Sequence, residues 1–223
     1  MPTIVKQKVI ADYIMAEPLP EPPRLPSVKA ADAYHHGDLR AALIAAAREA
    51  LQTVTPDAVT LKSLAARLGV SQPAPYRHFG SREALLAAVA ADGFERFRAQ
   101  LVEAAAGAAS GQEFEASCLA YVAFGRANMG VYRLMFASRL LPTSEDRILK
   151  QAAGAAFDLL VEGLSKFVPA ERVHATAVWV WSTLHGLVML DAEGLLSGPR
   201  ETQIEPIEVI RRMVAALGTP QAE

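Results

Sequence analysis

The sequence predicts an all-α fold, and three observations support this prediction. Alanine, the residue with the highest helix propensity, occurs 42 times among the 223 residues. From Gly37 onward, apolar residues recur at three- and four-residue spacing, which places them on one face of successive helices. Nowhere do β-branched and polar residues alternate over the length of a strand, so no sheet is expected.

Four helices are expected in the first half of the chain, over about residues 38–54, 60–69, 71–80 and 81–106. Thr60 and Ser81 are suitable N-caps because their hydroxyls can accept a backbone hydrogen bond. Gly69 suits the position that follows a helix, where the backbone is often left-handed. Pro73 falls in the first turn of the third helix, but Pro75 lies near the limit of that turn. A short helix with 3₁₀ distortion is therefore expected there.

Five more helices are expected over about residues 113–128, 131–138, 145–167, 171–196 and 207–217. Pro142, Pro169, Pro199 and Pro206 fall between them, as helix-breaking residues should. The N-terminal segment differs, because five of the ten residues 17–26 are proline and permit only an extended course. The chain is therefore divided into a proline-rich arm (1–33), a helical head (34–82) and a connecting helix with a C-terminal bundle (83–223).

Charge and cysteine content exclude several classes of protein. The formal net charge of −2 excludes a protein that coats nucleic acid or anionic lipid by bulk charge. Residues 27–82 nevertheless hold seven basic and four acidic side chains. The single Cys118 can form neither an intrachain disulfide nor a cysteine cage for zinc, and neither a metal nor a cofactor is expected.

No signal peptide is evident, and the most apolar stretch (175–190) is shorter than the ~20 residues of a membrane span. The protein is therefore expected to be soluble and cytoplasmic.

Residues 60–82 have the pattern of a helix-turn-helix. Leu61, Leu64 and Leu68 form one apolar stripe on the first helix, and Gly69 permits a tight turn to the second. In this geometry the second helix can enter the major groove of DNA with its N-terminal residues against base edges. On spacing alone, an ordinary helical hairpin explains residues 61–69 equally well.

The exposed positions of the second helix carry residues that suit DNA. Gln72 can pair with adenine, and Ala74 can touch a thymine methyl group. Tyr76, Arg77 and His78 can reach phosphates or bases. Ser71 begins this helix, while Lys62 and Arg82 flank it and are expected to contact the DNA backbone. The predicted DNA-contacting residues are therefore Lys62, Ser71, Gln72, Ala74, Tyr76, Arg77, His78 and Arg82.

Three segments carry a resemblance to a known family. The heptapeptide Tyr34-His35-His36-Gly37-Asp38-Leu39-Arg40, the helix-turn-helix, and the run from Tyr76 to Leu85 resemble the TetR family of bacterial transcription regulators. The later pieces 131–136 and 181–187 are similar to a TetR subgroup with a Trp-x-x-x-His-Gly signature, here Trp181, His185 and Gly186. The resemblance implies a homodimer with a DNA-binding head, a long connecting helix and a helical effector domain. It also implies that Gln72, Ala74, Tyr76, His78 and Arg82 face DNA, with Lys62 and Thr60 assisting.

The C-terminal half contains a candidate effector site. Trp181, His185 and Met189 stand one turn apart on the predicted helix 171–196 and could line a largely apolar cavity. The candidate ligand-binding residues are Phe124, Met129, Tyr132, Met135, Phe136, Phe157, Trp181, His185 and Met189. The alternative is that these side chains are ordinary core, with His185 a core histidine whose hydrogen bonds are satisfied.

A second stripe on the same helix, together with the last helix, is a candidate dimer interface. The candidate residues are Trp179, Thr183, Gly186, Leu190, Ile207, Ile210, Val214 and Leu217. Two helices from each subunit could form a four-helix interface. An intramolecular core explains the two seams equally well, and the family resemblance decides for the dimer.

The resulting hypothesis is a transcription regulator, expected to be a repressor, that binds a palindromic operator in double-stranded DNA as a homodimer. A small, largely apolar effector is expected to release it. An enzyme is the first alternative, since Cys118 could pair with a histidine, but no GxSxG, P-loop, GxGxxG or HExxH motif is present. A DNA-binding scaffold that senses nothing is the second alternative. It would not need a C-terminal half larger than the head.

Overall fold

A computed structural model describes residues 39–138, 140–196 and 204–218. These residues form helices and connecting turns without any strand, so the prediction of an all-α fold is confirmed. The helices are α1 (Leu39–Ala50), α2 (Leu61–Leu68), α3 (Arg82–Ala106), α4 (Glu113–Ala127), α5 (Met129–Phe136), α6 (Leu140–Thr143), α7 (Arg147–Ser165), α8 (Ala170–Ala192) and α9 (Pro206–Leu217). Single 3₁₀ turns occupy Pro56–Ala58 and Pro75–Arg77. The predicted arm (1–33) and the heptapeptide residues 34–38 lie outside the described part.

The predicted helix caps are present where the sequence placed them. The Thr60 hydroxyl accepts a hydrogen bond from the backbone N–H of Ser63, 3.1 Å away, and the Ser63 hydroxyl accepts one from the Thr60 N–H. The Ser81 hydroxyl accepts from the backbone N–H of Ala84 at 3.1 Å. Gly69 ends α2 in the left-handed conformation with φ 67°, which a residue without Cβ adopts at no steric cost. These three caps fix the two ends of α2 and the start of α3.

Two local predictions need correction. The first helix ends at Ala50 rather than near residue 54, because the backbone then tightens into turns in which the N–H of Thr53 bonds to the Ala50 carbonyl. Pro142 and Pro206 lie inside the first turns of α6 and α9 instead of in gaps. A proline is tolerated there because the N–H groups of a first helical turn have no intrahelical acceptor.

The head is built around the crossing of α1, α2 and α3. Leu43 from α1, Leu64 from α2 and Leu85 from α3 are each fully buried, and Val59 from the intervening loop joins them. Because α3 continues for 25 residues, it leaves the head and becomes the central helix of the C-terminal bundle. There it packs against α4, α5 and α7.

Head and bundle also meet directly. The Arg48 guanidinium on α1 forms an ion pair with Asp92 on α3 at 2.8 Å, and Arg96 binds the same carboxylate at 2.9 Å. Gly130 on α5 lies against the backbone of Leu51, the residue that follows α1. The position of the head is therefore linked to both α3 and α5.

Helix α8 is more apolar than its packing explains. Its length and composition alone would allow it to cross a membrane, whereas the sequence was expected to contain only an apolar stretch too short for that. The mean hydropathy of its most apolar stretch is 1.3. It packs against α4, α7 and α9. Only 33% of that stretch is buried, and Val178, Trp179 and Leu190 are among the exposed large apolar side chains.

Candidate functional site

The segment that follows α2 presents polar and basic side chains outward. The N–H of Ala74 bonds to the Ser71 carbonyl at 3.0 Å, and the 3₁₀ turn Pro75–Arg77 follows. The expected 3₁₀ distortion is therefore present, but the segment predicted as a helix over about residues 71–80 forms turns around a single 3₁₀ turn. Pro75 and Phe79 are buried and anchor this segment, whereas Tyr76 is 57% exposed. Two buried anchors thus hold a short, exposed turn in place, which is the arrangement a DNA-reading element needs.

Most of the predicted DNA-contacting side chains are accessible in this arrangement. The exposed ones are Thr60, Lys62, Ser71, Gln72, Tyr76, Arg77 and His78, and Ala74 is half-buried. Their contacts with DNA remain predictions. The Thr60 hydroxyl already caps α2, so its first role is structural.

The basic residues of the head fall into two groups. Arg40 lies over the ring of Phe79, 5.3 Å from its centroid. Arg48 pairs with Asp92, and Arg67 with Glu49 at 2.7 Å. Lys62 and Arg77, in contrast, have no ion-pair partner within the described ranges. Uncompensated cations on an exposed face attract a polyanion; Lys62 lies in the first turn of α2 and Arg77 in the 3₁₀ turn.

Arg82 is placed differently from the prediction. Its guanidinium donates to the backbone carbonyls of Val59 and Pro56 at 3.0 and 2.6 Å, and it pairs with Asp57 at 3.0 Å. The Pro56 carbonyl also accepts from the backbone N–H of Val59 at 3.2 Å, so Arg82 supplies it with a second donor. Arg82 thus ties the turn before α2 to the start of α3, and its donors are used inside the protein rather than held toward a phosphate.

A cavity of about 440 Å³ lies in the bundle between α3, α4, α7 and α8. Its wall on α3 runs from Phe94 to Ala105, which at 1.5 Å per residue spans roughly 16 Å. The rest of the wall is mainly apolar. Aromatic side chains from five helices and the turn after α7 contribute: Phe94, Phe97, Phe114, Tyr121, Phe136, Phe157, Phe167 and Trp181. A site of this size and character can enclose a small apolar molecule.

The cavity brings together only some of the predicted ligand-binding residues. Phe136, Phe157 and Trp181 line the cavity. Those that do not line it are Phe124, Met129, Tyr132, Met135, His185 and Met189. The first cause is the orientation of α5, which directs the Tyr132 and Met135 side chains into the core, where they are 0% and 1% exposed. The second is that Phe124 packs edge-on against Phe97 behind the wall.

Sequence reasoning missed the contributions of α3 and α4 to the wall. On α3, Phe94, Phe97, Leu101 and Ala105 line the cavity at spacings of three or four, the pattern of a single helix face. That pattern was readable in the sequence, but it does not distinguish a cavity wall from a packed core. The α4 residues that line the cavity are Glu113, Phe114, Ser117, Cys118 and Tyr121.

A chain of three polar side chains leads away from the cavity wall. The hydroxyls of Tyr121 and Tyr132 are 3.0 Å apart, and the Tyr132 hydroxyl lies 2.7 Å from Nδ1 of His185. Burial raises the pKa of Tyr121 to about 12 and raises the pKa of Tyr132 as well. Burial also lowers the pKa of His185. The three groups are therefore neutral at neutral pH, and His185 is a hydrogen-bonded histidine two hydrogen bonds behind the wall residue Tyr121.

The candidate dimer residues divide between the surface and the core. Trp179 and Leu190 are exposed on α8, and Thr183 and Gly186 are half-buried beside them. Ile210 is completely buried within its own chain, so its inclusion in an interface was wrong. The cause is the packing of α9 against α4, which turns this side chain inward. Ile207, Val214 and Leu217 are half-buried.

Two family models match the chain. Residues 43–89 match the model of bacterial regulatory proteins of the tetR family, and residues 114–217 match the tetracyclin repressor-like C-terminal domain. An uncharacterized HTH-type transcriptional regulator from Mycobacterium tuberculosis is 27% identical over 140 residues, which cover 63% of this chain and 64% of that protein. The chain thus matches less than two thirds of the length of this curated relative.

Solved structures support the same assignment. A protein of unknown function from Rhodococcus sp. RHA1 is 32% identical with a TM-score of 0.71, covering 84% of this chain and 98% of that one. A bacterial regulatory protein in the tetR family, also from Rhodococcus RHA1, shares the fold at 22% identity and a TM-score of 0.54, with 82% and 97% covered. A helix-turn-helix head on a helical bundle defines a DNA-binding transcription regulator. The chain belongs to the TetR family of these regulators.

Proposed function

We propose that the protein is a homodimeric repressor that binds a palindromic operator and is released by a small molecule that enters the cavity. The proposal rests on two features that occur together. One is the exposed 3₁₀ turn Pro75–Arg77, called the reading turn below. The other is the cavity, because α3, which forms part of its wall, also belongs to the head. DNA binding alone would need no cavity, and an isolated sensor would need no reading turn.

The face of α8 that carries Val178, Trp179 and Leu190 supports the dimer. Each of these side chains is 43–50% exposed, and burying a large apolar side chain contributes about 1.5–3 kcal/mol relative to leaving it exposed. Gly186 lies beside them, and a Cβ built on it would meet nothing within 4 Å in the single chain. A second copy of α8 could therefore approach this face closely, as in a two-fold symmetric interface.

Helix α5 supports the link between effector and DNA. Phe136, near its C-terminal end, lines the cavity, while Gly130, near its N-terminal end, touches Leu51 of the head. A ligand that displaces Phe136 would move α5 as a rigid rod, since a packed helix does not bend freely. Such a ligand would bind one head position better than the other and so change DNA affinity.

The proposal is tested with DNA fragments from around the protein's own gene, labelled with a fluorophore for anisotropy titrations. We expect binding to a two-fold symmetric sequence with half-sites roughly 34–36 Å apart, at two chains per site. We also propose that the protein acts in the cytoplasm, where a repressor has access to its operator. Binding of one chain per site, or equal affinity for a scrambled sequence at the same ionic strength, would contradict the repressor.

A further inference from the structure

The interior of the cavity holds polar groups but no charge. Cys118 is buried, and burial raises the pKa of its thiol to about 12, so the thiol is neutral. The Ser117 hydroxyl donates to the Leu101 carbonyl at 3.2 Å, which uses its proton. The Tyr121 hydroxyl is the third polar group, and it too is neutral.

The charged residues of the cavity lie at its outer end. Glu113 begins α4, Glu162 lies in the last turn of α7, and Lys166 follows α7 directly. All three are exposed. An anionic group deep in the cavity would therefore lose its hydration without gaining a cation, which is costly. At the outer end, two carboxylates and one ammonium group do not favour an anion either.

The Tyr121–Tyr132–His185 chain gives the cavity a hydrogen-bonding group that can adapt. If Tyr132 donates to Nδ1 of His185, Tyr121 donates to Tyr132, and its oxygen keeps one acceptor position beside the hydrogen bond from the Trp181 side chain. If Nδ1 of His185 carries the proton and donates, the direction reverses and Tyr121 donates toward the cavity. The Nδ1 role is set by the tautomer, so both directions satisfy the two buried tyrosines.

We propose that the effector is an elongated, mostly apolar and uncharged molecule with one carbonyl or hydroxyl group that contacts Tyr121. This inference rests on the proposed function, because it names the ligand class of the same cavity. The α3 side of the cavity wall extends roughly 16 Å from Phe94 to Ala105, and this length sets the extent of the apolar part of the ligand. The reversible chain behind Tyr121 accommodates either a carbonyl, which accepts, or a hydroxyl, which donates.

The test uses ligands with a ten-carbon chain that differ in the head group: decan-2-one and decan-1-ol below their solubility limits, and decanoate and decyltrimethylammonium below their critical micelle concentrations. Binding is followed by the tryptophan fluorescence of the full chain, since Trp181 lines the cavity, and by the melting temperature. We expect decan-2-one and decan-1-ol to bind, and decanoate and decyltrimethylammonium each to bind at least about tenfold more weakly. Failure of decan-2-one to bind, or decanoate binding as tightly, overturns the ligand class.

Tyr121→Phe removes only the hydroxyl and is expected to weaken decan-2-one binding roughly two- to tenfold, the range for one neutral hydrogen bond. Thr176→Val is the matched control, because it removes a hydroxyl of α8 that bonds to the Arg172 carbonyl and lies outside the cavity wall, and it should leave the affinity unchanged. Circular dichroism checks that both variants fold. Equal losses in the two variants, or no loss in Tyr121→Phe, overturn the contact with Tyr121.

The failure of this inference is distinguishable from the failure of the proposed function. Operator release is measured separately, by anisotropy with labelled DNA in the presence of decan-2-one. If decan-2-one binds as expected but operator DNA stays bound, the ligand class stands and the coupling between cavity and head is wrong. If decanoate rather than decan-2-one both binds and releases DNA, the coupling stands and the ligand class is overturned.

Discussion

Gly130 on α5 lies so close to Leu51 of the head that a Cβ at position 130 would overlap the Leu51 carbonyl. Leu51 directly follows α1, and α5 belongs to the bundle that holds the cavity. A backbone carbonyl cannot rotate away as a side chain can. This contact therefore fixes the distance between the head and the helix that carries Phe136.

Gly130→Ala is expected to lower the free energy of unfolding by about 1–3 kcal/mol, the usual cost of overpacking, because the head must shift to admit the methyl group. Gly154→Ala in α7 is the matched control, since a Cβ there meets nothing within 4 Å. The control should be neutral or stabilising by up to about 1 kcal/mol. Urea unfolding followed by circular dichroism measures both. Equal stability of the two variants would contradict the close contact.

Arg82→Ala is expected to destabilise the head by about 1.5–3 kcal/mol, because the Pro56 and Val59 carbonyls lose a charged donor. Tyr76→Ala should instead weaken DNA binding and leave stability nearly unchanged, since Tyr76 is exposed. Thermal unfolding and anisotropy titration on the same two samples separate these roles. An Arg82→Ala protein of normal stability but lost DNA binding would restore the original assignment of Arg82 as a phosphate contact.

Gly186→Leu is expected to convert the dimer into monomers, because the new side chain occupies the space in which a second copy of α8 would pack. Gly154→Leu introduces the same side chain at an open position on α7 and should remain a dimer. Sedimentation velocity across a range of concentrations reports the mass of each. A dimer in both variants would exclude this face of α8 as the interface.

The stability of the protein is expected to fall between pH 7.5 and 5.5 in part because of His185. Burial lowers the pKa of His185 in the folded state. As the pH falls below about 6.5, the ordinary pKa of histidine, the unfolded chain therefore binds a proton on His185 more readily than the folded chain does. Unfolding is then favoured as the pH falls. His185→Gln should show a smaller loss of unfolding free energy over this interval. An unchanged pH dependence would mean that His185 titrates normally.

Much of the fold was predictable because its signals are local. Thr60, Gly69 and Ser81 act through hydrogen bonds or dihedral angles within a few residues, so the sequence alone indicates them. The 3₁₀ turn at Pro75 follows from the same local chemistry. Pro142 was misplaced because the rule that proline breaks helices does not apply to a first turn.

The sites were harder to predict because they depend on contacts between distant segments. Arg82 finds its acceptors more than 20 residues earlier, at Pro56 and Val59, and no sequence pattern reports that the turn needs donors. Tyr132 was grouped with the cavity as an aromatic wall residue, and His185 because it lies on one stripe of α8 with Trp181 and Met189. Their mutual hydrogen bond instead places them behind Tyr121. Ile210 belongs to an apolar seam, but only the position of α4 decides which side of α9 is covered.

The central claim is that the exposed cations of the head hold DNA, and the salt dependence of operator binding tests it most directly. The affinities of the wild type, Lys62→Ala and the control Lys150→Ala on α7 are measured by anisotropy over a series of salt concentrations. Loss of one phosphate contact per subunit should reduce the slope of log affinity against log salt by about 1.8 for a dimer. We expect this change in Lys62→Ala and the wild-type slope in Lys150→Ala. A wild-type slope in Lys62→Ala, with a reduced slope in Lys150→Ala, would contradict the account.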